Sequence, residues 1–264
     1  MIKKNKPMVK NGARGVRSVE LGTGLLKIFS EQRRPMMLKE LAELSGLSSA
    51  QVHAYLASYI TLGFVERNST NGLYHLGPAC IELGIARMRS ADPITLAREA
   101  ARTLSQHTSL SVALVVWGSF GPTVTEVIEG VNQLNMNTKP GTVYSLSGTA
   151  SGRLFAAFVS PKTFEEAANA ENKEPKPNAR IGNKKRLLKR DLEQIRMNLF
   201  STIDEPPVPG INAIAAPVFD YAGQIILAIT LIGPEKIFRK QSSEYVKALK
   251  EVSQRVSRDL GYFV

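Results

Sequence analysis

Apolar positions in the N-terminal third of the chain recur first at helical and then at strand spacing. Leu38, Leu41, Ala42 and Leu44 share one helical face, and Ser45-Gly46 breaks that helix with a residue that accepts a positive φ. A second helix is predicted to follow at once. Ser48 and Gln51 fit the serine/glutamine form of a capping box, Val52, Tyr55, Leu56, Tyr59 and Ile60 make an apolar face, and Gly63 stops the run. The opposite face carries Ala50, His53, Ala54 and Ser58, side chains small or polar enough to lie against base edges in a major groove. Phe64 to Arg67 and Leu73 to Leu76, joined through Asn71-Gly72, read as a short hairpin. Helix, turn, helix and hairpin in that order make a winged helix-turn-helix, with Arg67 on the wing. Upstream, Gly15 to Ser30 reads as a helix whose Val19, Leu25, Leu26, Ile28 and Phe29 pack beneath the motif, although Gly22 and Gly24 weaken it.

The pattern then changes. Gly77-Pro78 opens a helix over Ala79 to Arg89, in which Ile81, Leu83, Ile85 and Met88 offer apolar surface, and this segment reads as a connecting helix. Asp92-Pro93 marks a new start, with Leu96 to Thr108 helical. Ser111 to Trp117 and Thr123 to Ile128 are β-branched runs around Gly118 to Pro122, Thr142 to Leu146 is a third strand, and Ala150 to Val159 a helix. Polar helices fill Pro161 to Leu199. Asn212 to Asp220 and Gln224 to Ile232 form an apolar strand pair around Ala222-Gly223, and a terminal helix runs from Gln241 to Leu260. The fold class predicted is α+β in two domains, the second on a mostly antiparallel sheet. The boundaries expected are a basic arm over residues 1–16, a winged helix-turn-helix over 17–78, a linker helix over 79–91 and a second domain over 92–264.

Composition narrows the function classes. A chain of 264 residues, 43% hydrophobic and 22% charged, can bury two cores and is not disordered throughout. No apolar run approaches the roughly 20 residues of a membrane span, and MIKKNKPMVKNG lacks the apolar centre of a signal peptide, so a cytoplasmic protein is expected. Cys80 is the one cysteine and reads as a core residue, and the three histidines are scattered, so neither a disulfide, a metal site nor a cofactor is expected. Ser147 to Gly152 (SGTASG) is neither a nucleophile elbow nor a phosphate loop and has no His and Asp pairing, which argues against an enzyme. The formal net charge of +11 points to an anionic partner. Lys3, Lys4, Lys6, Lys10, Arg14 and Arg17 precede the first acidic residue, Glu20, and read either as an arm on phosphates or a minor groove or as a solvated tail. A second basic cluster, Lys173 to Arg190, reads as a solvated loop and helix start.

Arg17-Ser18-Val19-Glu20, the helix-turn-helix, Tyr74-His75-Leu76-Gly77 and the string GINAIAAPVFDYAGQIILAITLIGP (Gly210 to Pro234) together resemble an IclR-type bacterial transcriptional regulator over about residues 17–262. The resemblance implies a DNA-binding N-terminal domain, a linker helix and a GAF-like effector domain that binds a small organic ligand. It also implies homodimers formed through the N-terminal domains, commonly paired into homotetramers through the effector domains. Members usually carry Pro-Lys-Ser-Thr and an arginine at the start of the recognition helix, where this chain has Ser48-Ser49-Ala50-Gln51 and then Ala54. DNA contacts are therefore expected from Arg17, Lys39, Ser48, Ser49, Gln51, His53 and Arg67, with Arg33 and Arg34 adding charge. Gln51 either pairs with adenine or closes the capping box.

In the effector domain the resemblance places a pocket between the helix starting at Ala150 and the strands Ala213 to Val218 and Ile226 to Ile232. Ala150 and Ser151 would offer backbone N–H groups to a carboxylate, favoured there by the positive end of the helix dipole. Thr230 matches a hydroxyl-bearing position and Asp204 lies near an acidic one. Ala213 stands where many members have cysteine. Met136, Tyr144 and Trp117 are candidate walls, ordinary sheet packing being the other reading. The function expected is a ligand-responsive regulator that binds a double-stranded operator as a dimer or dimer of dimers and senses a small organic acid, aromatic acids included. The alternative is a basic protein that binds nucleic acid without sequence preference.

Overall fold

A computed structural model of the protein describes residues 15–131, 138–173, 187–203 and 207–263. Two compact units divide the chain, Met1–Arg89 and Ser90–Val264.

The first unit contains α1 (Arg17–Gln32), α2 (Leu38–Ser45), α3 (Ser49–Thr61) and a hairpin of β1 (Val65–Arg67) and β2 (Tyr74–Leu76), followed by α4 (Pro78–Ser90) across the division. Gly46, at φ 68°, ends α2 in the left-handed region and lets Ser48, the N-cap of α3, follow two residues later. Leu25 and Phe29 of α1, Leu41 of α2, Val52 and Leu56 of α3 and Tyr74 of β2 form the core. Each helix contributes a narrow stripe, narrower than the sequence pattern suggests. Val19, Leu44 and Ile60, expected to pack, are exposed, because they lie at the margins of stripes whose centres already fill this small core. Gly22 has the opposite outcome. It is buried, and a Cβ there would stand 2.2 Å from the Tyr59 hydroxyl oxygen and 3.2 Å from the Tyr55 ring, so the glycine lets α1 and α3 close together. Cys80 is half-buried rather than a core residue, and its Sγ donates to the Phe64 carbonyl at 3.4 Å. Burial pushes its thiol pKa up.

The second unit opens with α5 (Pro93–Thr108), capped by Asp92. A five-stranded antiparallel sheet follows, in the order β4-β3-β7-β6-β5, from β3 (Ser111–Gly118), β4 (Gly121–Ile128), β5 (Ser201–Thr202), β6 (Ile211–Phe219) and β7 (Ile225–Pro234). The remaining helices are α6 (Ala150–Phe158), α7 (Pro161–Lys173), α8 (Lys189–Asn198) and α9 (Glu235–Asp259). Alternation along the strands sorts the side chains. Val112, Leu114, Ile214, Leu227, Ile229 and Leu231 pack against α5 and α9. Ala113, Ala213, Ala215 and Ala228 turn to the other face, under α6 and α8. The bulky face builds a dense core, and the alanine face leaves room for α6 to lie close.

Two expectations change here, and one element is new. Thr142 to Leu146 is not a continuous strand among the described residues: Val143 and Tyr144 are isolated bridge residues, Val143 opposite Thr123 of β4, before the chain leads into α6. The terminal helix begins at Glu235, six residues before Gln241, because Ile237 and Phe238 already pack against the α5 side of the core. β5, two residues long, escapes any periodicity argument.

Candidate DNA-reading face and effector pocket

Ser48 is the N-cap of α3, and the reciprocal capping box forms. Gln51 N–H donates to Ser48 Oγ at 3.3 Å, while Ser48 N–H and Oγ–H each donate to Gln51 Oε1 at 3.1 Å. Of the two readings of Gln51, closure of the capping box is the one seen; its amide nitrogen is left uncommitted. Ser49, Ala50, His53, Ala54, Ala57 and Ser58 form an exposed face without a cation. Tyr55 and Tyr59 turn away from it. Their rings stack at 6.5 Å, and Tyr59 meets Phe64 edge-on at 6.3 Å, so both pack rather than face solvent. Burial raises the Tyr59 pKa.

The cations stand around this helix. Arg17 and Lys39 are exposed on α1 and α2, and Arg33 caps α1 in the left-handed region at φ 53°. Arg67 is exposed on the wing, its guanidinium 5.4 Å from the centre of the Tyr74 ring, which gives the long side chain a cation–π rest. Arg34 is different. It is held by both carboxylate oxygens of Glu40, whose pKa is lowered chiefly by that hydrogen bonding. The charge expected from Arg34 is thus largely neutralised within the protein. Lys3, Lys4, Lys6, Lys10 and Arg14 lie outside the described residues, as does most of the cluster from Lys173 to Arg190.

In the second unit, α6 starts deep in the fold. Tyr144, Ala150, Ser151 and Thr230 are all buried, and Tyr144, Ala150 and partly buried Ala213 belong to one apolar cluster on the α6 side of the sheet. Ser151 Oγ and Thr230 Oγ1 are 2.8 Å apart, tying the first turn of α6 to the central strand β7. Thr230 itself sits between Ala113 of β3 and Ala215 of β6. Thr149 caps the helix by accepting from Gly152 N–H at 3.0 Å. The N–H groups of Ala150 and Ser151 have no acceptor among the described residues. A Cβ at Gly152 would fall 1.9 Å from the Ser145 carbonyl oxygen, so only glycine allows this close approach of loop and helix. Trp117 tilts on Phe155 at 5.7 Å and is sheet-to-helix packing. Tyr144 donates weakly to Thr138 Oγ1 at 3.5 Å, and burial raises its pKa. Met136 and Asp204 lie outside the described residues.

Sequence reasoning passed over Arg153. Its guanidinium lies 3.8 Å from Asp191 of α8, yet its Nε is buried without a hydrogen-bond partner among the described residues. The available signal was a single cation in the otherwise apolar helix ASGRLFAAF. No group of three or more metal-ligating side chains occurs among the described residues, and no helix there is long and apolar enough to cross a membrane.

Comparison with known proteins follows the same division. The model for "Bacterial transcriptional regulator IclR C-terminal" matches residues 86–258, and that for the "IclR helix-turn-helix domain" matches residues 18–69. The chain belongs to the IclR family. Among curated relatives, the HTH-type transcriptional regulator XynR of Escherichia coli is 23% identical over 248 residues, 94% of this chain and 98% of XynR. The regulator KdgR of the same organism is 25% identical over 240 residues, 90% of each chain. The crystal structure of Pseudomonas aeruginosa HmgR is 30% identical, with a TM-score of 0.82 over 94% of this chain and 99% of HmgR. This IclR-family chain is therefore a DNA-binding transcriptional regulator and not an enzyme. Its family binds DNA operators and small-molecule effectors. The agreement covers both units and the α+β architecture.

Proposed function

We propose that this IclR-family regulator binds a two-fold operator as a dimer, or dimer of dimers, and is switched by a small organic carboxylate, aromatic acids included, held at the N-terminus of α6. The observation that carries the reading is the pair of open N–H groups of Ala150 and Ser151, buried above an alanine floor at the positive end of a helix. Ser151 and Thr230 would orient the ligand through the oxygen valences their mutual bond leaves free, with Tyr144 and Ala213 as walls. Met136 and Asp204 complete the proposed set. Alanine in place of a larger side chain at 213 favours a bulkier guest.

On the DNA side, Ser49, His53 and the free amide nitrogen of Gln51 would meet base edges, with Ser48 at the phosphate end of α3. Arg17, Lys39 and Arg67 would hold phosphates. Dimerisation through the first unit is supported by α4, which buries none of its residues within that unit and exposes Ile81, Leu83, Ile85 and Met88. The linker helix proposed over 79–91 would be the lever: a ligand shifts DNA binding only by its differential affinity for two arrangements.

Selection from random duplex DNA at several salt concentrations, followed by a thermal-shift series of small aromatic and aliphatic acids, tests both halves. An enriched two-fold motif and a saturable rise in melting temperature are expected. Equal binding of selected and random duplexes would instead make the protein a non-specific nucleic-acid binder.

A further inference from the structure

A cavity of about 310 Å³ lies at the open edge of the second unit's sheet, at the other end of α6 from the proposed effector site. Its origin is topological. β5 pairs with Ile214 and Ala215, so among the described residues β6 runs on through Pro217 to Phe219 without an outer strand. Leu199, Pro217 and Phe219 form an apolar floor there, and Tyr262 and Phe263 close one side. Phe219 is fixed from two directions, tilted against Tyr262 at 4.9 Å and edge-on to Phe158, the last residue of α6, at 5.1 Å.

The last turns of α9 supply the opposite wall through Lys250, Ser253, Gln254, Ser257 and Arg258, which share one helical face. Most polar capacity on this wall is already used. Ser257 Oγ accepts from Phe219 N–H at 3.0 Å and donates to the Ser253 carbonyl at 2.8 Å, while Ser253 Oγ donates to the Lys250 carbonyl at 3.2 Å. The end carbonyls of α9 are taken by the N–H groups of Leu260, Gly261 and Tyr262. The cations Lys250 and Arg258 remain, together with the amide of Gln254, and neither cation has a carboxylate partner among the described residues. An apolar, aromatic-walled floor beneath two such cations is complementary to a flat, mainly apolar monoanion, and the volume suits a small ligand.

We propose that this cavity is a second ligand site, for a flat aromatic carboxylate whose ring lies against Phe219 and Tyr262 and whose carboxylate pairs with Lys250 and Arg258. The experiment labels the full chain with 3-fluorotyrosine, assigns the Tyr262 resonance with Tyr262→Phe, and follows fluorine NMR during titration with 2-naphthoate. A saturable shift at Tyr262 is expected, needing at least roughly tenfold more of the uncharged analogue 2-naphthylmethanol for the same response. The double variant Lys250→Gln, Arg258→Gln, at half-exposed and exposed positions, is expected to weaken the Tyr262 response by at least roughly tenfold. The Tyr144 resonance reports the other end of α6 and so separates this site from the proposed effector pocket. A Tyr262 resonance that stays still at millimolar naphthoate overturns the proposal, as does equal response to acid and alcohol, a measurement that needs no variant.

Discussion

Gly22 illustrates how one missing methyl group decides how closely two helices pack. Alanine in a helix interior gains about 1 kcal/mol over glycine, yet a Cβ here would meet the Tyr59 hydroxyl at 2.2 Å, and overpacking costs about 1 to 3 kcal/mol. Gly22→Ala is therefore expected to lower stability in urea unfolding, and to be near neutral or stabilising in a Tyr59→Phe background, where the clashing oxygen is gone. Additive effects in that double-mutant cycle would show that the clash is relieved some other way. Thr230 makes a similar point with a hydroxyl. Thr230→Val keeps the shape but leaves Ser151 Oγ buried without its partner at 2.8 Å, an expected loss of about 1 to 3 kcal/mol. Adding Ser151→Ala should recover part of it; no recovery would mean that the pair is not coupled. Residues like these carry no periodic signal, because their role depends on what another element places opposite them.

At the scale of elements, caps and breaks are legible in the sequence. The Ser48/Gln51 box, the Gly46 break and the Asp92-Pro93 start rest on local hydrogen bonding that the chain writes within four residues. The apolar strand pair of β6 and β7 is legible too, but the shared face of Thr230 and Ala213 comes from the register, which sets Ala215 opposite Thr230 and Ala213 opposite Ile232. Less legible are features set by distant partners: the exposure of Val19 and Ile60, the isolated bridges within Thr142 to Leu146, and α9 starting six residues early. Tertiary packing decides each of these. Asp92 gives the cap a pH signature. Its carboxyl accepts from Thr95 Oγ1–H and from the N–H groups of Ile94 and Thr95, which holds its pKa below the usual carboxylate value. A depressed acid stabilises the fold fully above its unfolded pKa of about 3.9 and loses that contribution as pH falls through the lower folded value. The melting-temperature gap between wild type and Asp92→Ala should thus be widest near neutral pH and shrink on acidification towards pH 3. A gap independent of pH over that range would show that the cap acts without its charge.

Across the whole molecule, charge is distributed unevenly. Residues 1–89 hold 13 of the 34 basic side chains but only 6 of the 23 acidic ones, so the DNA-binding unit carries most of the net +11 in a third of the chain. None of that charge stands on the reading face of α3, so affinity has to come from its surroundings, and salt dependence can sort the contributors. Removing one cation that neutralises a phosphate should reduce the slope of log K against log salt by about 0.9. Arg67→Ala is expected to show that full reduction, since Tyr74 orients the guanidinium without neutralising it. Arg34→Ala should show much less, because Glu40 already holds the charge. Removing residues 1–14 takes away five cations and should lower the slope by more than any single substitution if the segment grips phosphates; an unchanged slope would make it a solvated tail. Gel-shift titrations of these three variants on one selected duplex, between about 50 and 200 mM salt, give the comparison directly. Equal slopes for Arg34→Ala and Arg67→Ala would mean that DNA draws Arg34 away from Glu40, and that the ion pair belongs to the free protein alone.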